Sequence, residues 1–159
     1  MRPLILLATA LFLSSCSTPT NSKSATTSDS PRQLEHVKPR DETRRFPIAN
    51  QTSTKVIDDH ILDKAFMPGG TIAHYKKGKV EYDMFLAKMP SASDAAIVLP
   101  DWRKALTDSK LIPSFGGYYG TDNGRPVFVF PKGAWIAGIA GLPEKDADLQ
   151  ARTLATKIE

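Results

Sequence analysis

The feature that most constrains this chain is a short apolar run that ends close to its only cysteine. The residues from Leu4 to Leu13 are apolar except for Thr9, and Cys16 follows two serines. A membrane-spanning helix needs about 20 apolar residues, so this run is too short to cross a bilayer. Preceded by the positive Arg2, it has the length of the apolar core of a signal peptide, which is removed from a mature protein. The fold therefore has to be built from the residues that follow it.

The residues around the cysteine match a processing signal. Leu13, Ser14, Ser15 and Cys16 resemble, position by position, the lipobox of bacterial lipoprotein precursors. The resemblance covers only the first part of the chain, up to Cys16. It implies that residues 1–15 are a lipoprotein signal peptide that is cleaved off, and that the thiol of Cys16 carries a diacylglyceryl group. The freed amine can carry a further acyl chain such as palmitate. An ordinary secretory signal with an incidental cysteine is the alternative.

The resemblance also bears on location, because lipidated Cys16 would hold the mature protein on a membrane of the cell envelope. In Gram-negative members of the family, an aspartate after the cysteine favours retention in the inner membrane. Ser17 stands at that position. This implies the outer membrane, with the protein facing the periplasm, if the cell has such a membrane.

The stretch after the anchor is too polar to fold by itself. Residues 16–45 comprise the cysteine, a segment rich in Ser, Thr and Pro, and then a charged segment. Such a composition cannot bury enough apolar surface to offset the entropy lost on ordering. We therefore expect a disordered tether. As a flexible coil, its 29 residues after the cysteine would span roughly 30 Å.

The remaining residues, 46–159, have the length of one domain. They contain fourteen Lys or Arg and thirteen Asp or Glu, although the whole chain has a net charge of +4. A nearly neutral domain gives no electrostatic reason to expect nucleic-acid binding. Because the only cysteine would be lipidated, no disulfide is available, and the domain has to be stabilised by packing in an oxidising compartment.

The first element of the domain is predicted to be a helix. Ile57, Ile61 and Ala65 recur at intervals of four residues, which is the spacing of one face of a helix, so we expect a helix over 54–66. The Pro-Gly-Gly sequence at 68–70 would end it.

Five strands are predicted after this helix. Residues 80–87 alternate between apolar and polar, which predicts a strand that pairs with 71–75 in a hairpin. The Asn-Gly pair at 123–124 predicts a second tight hairpin, whose first strand follows Phe115. The apolar segments 127–130 and 135–141 are typical of strands covered on both faces.

Two further helical regions are predicted. Ser91 would begin one, with Asp94 completing its cap. Pro100 would kink or restart it, so that Trp102 faces the core and residues 110–113 lead out. A stripe of small and apolar residues from Ala147 to Ile158 predicts the last helix. Gly138 and Gly141 are expected to give that helix room to approach the sheet.

These elements predict an α+β fold. The strands follow one another in hairpins, which favours an antiparallel sheet of about five strands in hairpins and a meander, with two to three helices packed on one face. A ferredoxin-like ββαββα arrangement is one form that this order can take, although no internal repeat in the sequence supports it.

The domain has no sequence pattern typical of a catalytic or metal site. His60 and Asp63 are three residues apart, but a zinc site needs three or four convergent ligands. No Gly-x-Ser-x-Gly elbow occurs. Glu81 and Asp83 lie on one side of a predicted strand, where a solvated surface is a simpler explanation than glycosidic chemistry. We expect no metal and no cofactor, and the residues favour a non-catalytic domain over an enzyme.

The most unusual segment runs from Phe115 to Gly120, with the sequence Phe-Gly-Gly-Tyr-Tyr-Gly. Tyr118 and Tyr119, with Trp102, are the candidate binding residues, because aromatic side chains with a polar end suit interfaces. Since adjacent strand residues point to opposite faces, one tyrosine should enter the core and the other should be exposed. The alternative is a bulged strand whose glycines make space for a tryptophan.

The function expected from these features is that of a membrane-anchored envelope lipoprotein. Its domain would bind another envelope component, such as a protein partner, without catalysis. The sequence leaves open a domain that binds a small molecule or a glycan, and also a hydrolase without a recognisable motif. A deep pocket with convergent polar groups would favour these alternatives, whereas a flat apolar patch would favour a protein partner.

Overall fold

The computed structural model describes residues 38–159, which form a seven-stranded antiparallel sheet with three α-helices. The strands are β1 (Gln51–Asp59), β2 (Pro68–Lys77), β3 (Val80–Lys88), β4 (Thr107–Ile112), β5 (Gly117–Asp122), β6 (Arg125–Lys132) and β7 (Trp135–Ala140). The helices are α1 (Ala92–Ile97), α2 (Leu99–Ala105) and α3 (Glu144–Ala155), and 3₁₀ turns occupy Thr43–Arg45 and Ile61–Asp63. No helix within 38–159 has the length and apolar character needed to span a bilayer.

The sheet consists of two meanders joined at its centre. Strands β1–β3 follow one another on one side and β4–β7 on the other, which gives the order β1-β2-β3-β7-β6-β5-β4. Strands β3 and β7 pair antiparallel, with Phe85 opposite Gly138. Helices α1 and α2 connect the two meanders across one face of the sheet, and α3 packs on the other face.

Each face of the sheet has its own apolar core. The face under α3, called the α3 face, includes Met84, Leu86, Phe128, Phe130, Ile139 and Leu154. The face under α1 and α2, called the α2 face, includes Phe85, Trp102, Val127, Val129 and Ile136. Because successive residues of a strand point to opposite faces, the apolar runs in β3, β6 and β7 supply both cores at once.

The first predicted helix is not formed. Its residues are divided between the edge strand Gln51–Asp59 and the turn Ile61–Asp63. The four-residue spacing that indicated a helix connects Ile57, which lies in the strand, with Ile61, which is buried in the 3₁₀ turn. The β-branched residues of this segment suit an extended chain. The backbone at Leu62 is left-handed, with φ of 54°, which a continuous α-helix does not contain.

Gly69 and Gly70 begin strand β2 and do not end a helix. A Cβ atom at Gly69 would collide with the backbone of Ile57 and Asp58, and one at Gly70 would collide with the carbonyl oxygen of Leu86. The two glycines therefore allow β2 to lie close to both β1 and β3.

Gly138 lies on the α2 face, so the expectation that it gives α3 room is wrong. A Cβ atom there would collide with the ring of Phe85 and with the carbonyl oxygen of Phe128. Gly141 has φ of 99° at the end of β7, beside the guanidinium of Arg125. Gly138 makes room for the ring of Phe85 and for strand β6, and Gly141 makes room for the side chain of Arg125.

The α+β class is confirmed, with corrections to its details. The sheet has seven strands instead of about five, because β1 was predicted as a helix and β4 as a connection. The helices pack on both faces and not on one. The order of elements is three strands, two helices, four strands and a helix. This differs from the predicted ββαββα arrangement and from the β-α-β-β-α-β order of a ferredoxin-like fold.

Predictions from local signals are confirmed. The Asn-Gly pair forms a tight turn between Asp122 and Arg125, which are paired in the β5–β6 ladder. Ser91 caps α1, since its Oγ accepts a hydrogen bond from the backbone N–H of Asp94 at 3.1 Å. Pro100 lies in the first turn of α2, where its missing N–H costs no helix hydrogen bond.

Residues that precede the predicted boundary at Phe46 are attached to the domain. The hydroxyl of buried Thr71 accepts a hydrogen bond from the backbone N–H of Glu42 at 3.1 Å and donates one to the carbonyl of Arg40 at 3.3 Å. Residues 40–45 therefore belong to the domain and not to the predicted tether. The remainder of that tether up to residue 37, with Cys16 and the lipobox, lies outside the described residues.

Candidate functional site

A cleft opens at the end of the sheet where β2 and β7 start and β3 ends. Its volume is about 360 Å³, within the range of small-molecule sites. It is lined by residues from the segments 38–42, 68–70 and 86–90 and by Trp135. We call it the Trp135 cleft.

The inner surface of the Trp135 cleft is apolar. Leu86, Met89 and Trp135 are almost fully buried, and Pro39 and Pro90 add further apolar lining. An apolar group is more favourably placed against such a surface than in water, so its transfer from water into the cleft lowers the free energy.

The ring of Trp135 has two cations near its faces. The guanidinium carbon of Arg45 lies 5.0 Å from the ring centroid, and the ammonium of Lys88 lies 5.5 Å from it. Arg45 is held by Glu42, with 2.8 Å between Nε and Oε2. It also donates a hydrogen bond to the carbonyl of Lys157 at 3.2 Å. These contacts attach the N-terminal segment to β7 and to the chain after α3.

The Trp135 cleft has an excess of positive charge. Lys38, Arg40 and Lys88 contribute to its lining, and within residues 38–159 none of them forms an ion pair with a carboxylate. The carboxylate of the lining, Glu42, is paired with Arg45. An apolar interior with unpaired cations complements a ligand that has an anionic group and an apolar body.

The opposite end of β2 and β3 carries a group of paired charges on the α2 face, which we call the paired row. Asp83 contacts His74 Nδ1 through Oδ1 at 2.5 Å and accepts a hydrogen bond from Arg125 Nη1 at Oδ2, at 2.7 Å. Lys76 and Glu81 pair at 2.6 Å. The hydrogen bond from Lys76 is the main cause that lowers the pKa of Glu81, and the same bond raises the pKa of Lys76.

Comparison with known proteins assigns no family to the chain. No protein-family model matches it, and no curated protein matches its sequence with significance. Among solved structures, the crystal structure of a GTP binding regulator from Thermotoga maritima is similar to it. The TM-score is 0.50 and the sequence identity 13%, and the similarity covers 69% of this chain and 76% of that chain. An identity this low shows a shared fold alone.

The paired row bears on the hydrolase alternative. Ser53 lies opposite His74 in the β1–β2 register, and His74 lies opposite Asp83 in the β2–β3 register. A serine, a histidine and an aspartate therefore follow one another across three strands. Among the described contacts no hydrogen bond joins Ser53 to His74, and a nucleophile needs its base within hydrogen-bond reach. Glu81 and Asp83 each pair with a cation, as expected of a solvated structural surface.

The structure does not bring the three predicted binding residues to one surface. Tyr118 and Tyr119 are half-buried on opposite faces of β5, against the α2-face and α3-face cores respectively. The hydroxyl of Tyr119 donates to the carbonyl of Leu142 at 3.3 Å. Trp102 is fully buried, and its Nε1 donates to the sulfur of Met67 at 3.2 Å. Trp102 is therefore a core residue without access to a partner.

The glycines beside the tyrosines make space for neighbouring groups, which is one part of the alternative prediction of a bulged strand. A Cβ atom at Gly117 would collide with the carbonyl oxygen of Val129 in β6, and one at Gly120 would lie 2.9 Å from the carbonyl oxygen of Thr107 in β4. These glycines make space for neighbouring strands of the sheet, and not for a tryptophan.

The histidines do not form a metal site in the described part of the chain. His60 lies in a left-handed turn, with its Nε2 3.4 Å from Asp59 Oδ2. Within residues 38–159, no group of three or more His, Cys, Asp or Glu side chains could hold a metal ion. His36 lies outside this range.

Sequence reasoning missed Lys88 and Trp135 as site residues. The β3–β7 register places them opposite each other, but their positions in the sequence are far apart. The available signal was a lysine at the end of an apolar strand, and that signal alone does not distinguish a binding cation from a solvated one. The walls of the cleft depend on long-range strand pairing.

Proposed function

We propose that this protein is a membrane-anchored envelope lipoprotein whose domain binds another envelope component at the Trp135 cleft, without catalysis. The observation that carries the proposal is the composition of the cleft, an apolar interior of about 360 Å³ with three cations that have no carboxylate partner within residues 38–159. Such a site can hold a ligand through apolar contact and orient it through charge.

The location rests on the sequence. Residues 13–16 supply the lipobox, and Cys16 is the proposed lipid attachment point. Ser17 favours the outer membrane, facing the periplasm, in a Gram-negative cell. The segment 38–42, which lines the cleft, is the described part of the domain that lies nearest to this anchor in the sequence.

The lining of the cleft suits binding better than catalysis. General acid–base chemistry needs a carboxylate, histidine or similar group that is free to exchange a proton with the reactant. In the cleft, Glu42 is paired with Arg45, and Lys38, Arg40 and Lys88 are cations that attract an anion. The site therefore offers affinity and orientation.

The concave shape favours an inserted small molecule or chain over a flat protein interface. This supports the second candidate function, capture of a small ligand. A glycan fits less well, because sugars are recognised by many hydrogen-bonding side chains, and most of the surface that lines the cleft is apolar.

The anchoring part of the proposal is tested by Cys16→Ser. The wild-type protein should fractionate with membranes and carry the mass of a diacylglyceryl group. Cys16→Ser should be soluble or remain an unprocessed precursor, because a hydroxyl cannot replace the thiol as the lipid acceptor. Ser15→Ala is the matched control, since alanine also satisfies the lipobox at that position. Normal processing and unchanged membrane association of Cys16→Ser would contradict the proposal.

A further inference from the structure

The interior of the Trp135 cleft points to an acyl chain as the group that enters it. Most of the surface that lines the cleft is apolar. Pro39, Pro68 and Pro90 are the apolar lining residues that remain partly or fully exposed, whereas Leu86, Met89 and Trp135 are almost fully buried. A flexible hydrocarbon chain gains from this surface without leaving a polar group unsatisfied. A peptide backbone or a sugar would have to leave hydrogen-bonding groups without partners there.

The position of the cleft also argues against a peptide that adds a strand. Such a peptide needs a free sheet edge. Strands β2, β3 and β7, which surround the cleft, each have a hydrogen-bonded neighbour on both sides. The free edges of this sheet are β1 and β4, and neither contributes residues to the cleft.

The charges of the lining define the head group. Lys38, Arg40 and Lys88 are cations without an ion-pair partner within residues 38–159, and Lys and Arg bind phosphate oxygens well. A phosphate diester would neutralise part of this charge. A zwitterionic head group would bring an ammonium towards the same three cations, so an anionic lipid complements the site better.

The path of the chain identifies the source of the lipid. Lys38 lines the cleft and lies 22 residues after Cys16, so the lining cannot be further than about 75 Å from the anchored residue, whatever the conformation between them. Residues 40–45 are attached to the domain through Thr71 and through Arg45. The chain from the anchor therefore joins the domain beside the cleft, and the lipid surface within its reach is the membrane that holds Cys16.

We infer that the Trp135 cleft takes one acyl chain of an anionic phospholipid from the membrane in which the protein is anchored, with the lipid phosphate at Lys38, Arg40 and Lys88. This inference rests on the proposed function, since it assumes the anchor at Cys16. It specifies the ligand class of the binding site.

The test uses the full lipidated protein in vesicles of phosphatidylcholine, with or without phosphatidylglycerol. The photocrosslinking residue benzoylphenylalanine replaces Pro90, which is exposed and lines the cleft. In a control protein it replaces Lys79, which is exposed at the β2–β3 turn. The vesicle lipids carry deuterated acyl chains, so that mass spectrometry distinguishes them from the protein's own anchor.

We expect position 90 to crosslink deuterated phosphatidylglycerol at least about tenfold more than position 79. Of these two sites in the described chain, the first combines an apolar lining with cations that have no carboxylate partner there. A double variant, Arg40→Glu with Lys88→Glu, should remove most of this product. The matched double variant Lys77→Glu with Lys79→Glu makes the same change of charge at the opposite end of the hairpin and should retain it. Circular dichroism melts establish that both double variants are folded.

Several results would overturn the inference. These are equal crosslinking in phosphatidylcholine alone, a product with the undeuterated anchor, a product with protein only, or an equal loss in the two double variants. The fractionation of Cys16→Ser is read separately. If that variant is released but position 90 yields no lipid product, the anchor stands and the lipid site fails. If position 90 captures phosphatidylglycerol but Cys16→Ser stays processed and membrane-bound, the proposed anchor fails instead.

Discussion

The two ends of strands β2 and β3 carry charged side chains but use them differently. At the paired row, Asp83 contacts both His74 and Arg125. At the Trp135 cleft, Lys88 lies beside an apolar surface with no carboxylate partner in the described chain. The difference teaches that charge alone does not mark a binding site. A cation beside an apolar surface that has no carboxylate partner in the described chain can bind an anion from outside the protein.

The origin of the difference lies in the connections. At the paired row the hairpin places opposite charges directly across from each other, as in Lys76 and Glu81, which is the usual way that cross-strand pairs stabilise a sheet. At the cleft, the chain from residue 38 adds Lys38 and Arg40 to the strand ends. Of its two acids, Asp41 accepts hydrogen bonds from Thr43 and Glu42 pairs with Arg45. The added segment therefore leaves an excess of cations at this end.

The largest effect should come from removing the aromatic centre of the cleft. Trp135→Ala should lower the free energy of unfolding by about 3–5 kcal/mol, because a large buried side chain is lost from the α3-face core. Urea unfolding measures this. Val80→Ala at the turn end, where the side chain is 49% exposed, should change stability by less than about 0.5 kcal/mol. Similar losses in both variants would show that the cleft end is no better packed than the turn.

A smaller effect should separate the two kinds of charge. Asp83→Asn should cost about 1–2 kcal/mol, because His74 and Arg125 lose their common carboxylate, and solvent at the half-exposed Arg125 limits the loss. Lys38→Ala should change stability by less than about 0.5 kcal/mol, since no carboxylate of the described chain pairs with it. Thermal denaturation at low and high salt measures both. A larger cost for Lys38→Ala than for Asp83→Asn would reverse the comparison.

The smallest effect concerns the turn end on the α3 face, where Tyr75 and Tyr82 stack with ring centroids 4.9 Å apart. Burial raises the pKa of both hydroxyls above the ordinary value of about 10. The unfolded state therefore loses these protons at lower pH than the folded state. Stability should be complete below pH ~10 and fall as pH rises above it, by a little under ~1 kcal/mol at pH ~10.5 for Tyr75. Tyr82 should add to the fall in the same direction. Urea unfolding across this range should show the fall.

Tyr75→Phe is the matched variant for the pH experiment. It keeps the stacked ring but removes the hydroxyl that donates to the carbonyl of Pro47 at 2.8 Å. Its stability should fall less steeply above pH ~10 than that of the wild type. A wild-type stability that stays constant or rises up to pH ~11 would contradict the assignment of these hydroxyls.

Features set by neighbouring residues could be predicted from the sequence. The alternation in β3, the Asn-Gly turn before Arg125 and the cap at Ser91 all depend on residues within a few positions of one another. Strand β1 was misassigned because most of its residues face solvent at a sheet edge, so its sequence shows little alternation between apolar and polar residues. The four-residue spacing of Ile57 and Ile61 then matched the spacing expected of a helix. Strand β4 is another edge strand and has no fully buried residue.

The candidate site could not be predicted in the same way. Its lining combines the segments 38–42, 68–70 and 86–90 with Trp135, and only the strand order brings them together. Tyr118 and Tyr119 stood out because aromatic and glycine residues were adjacent in the sequence. Their half-buried positions against the two cores show that local composition described the sheet at that point and did not locate the cleft.

The junction between the two meanders also has a consequence for the kinetics of folding. Hairpins such as β2–β3 and β5–β6 bring together residues that are close in the chain and form within about 1–10 μs. Pairing β3 with β7 joins Phe85 to Gly138, so a loop of roughly fifty residues has to close first, at a greater entropic cost. We therefore expect this pairing to be the slow step. Because Lys88 and Trp135 meet only across that junction, the cleft would be completed late in folding, when the two halves of the sheet join.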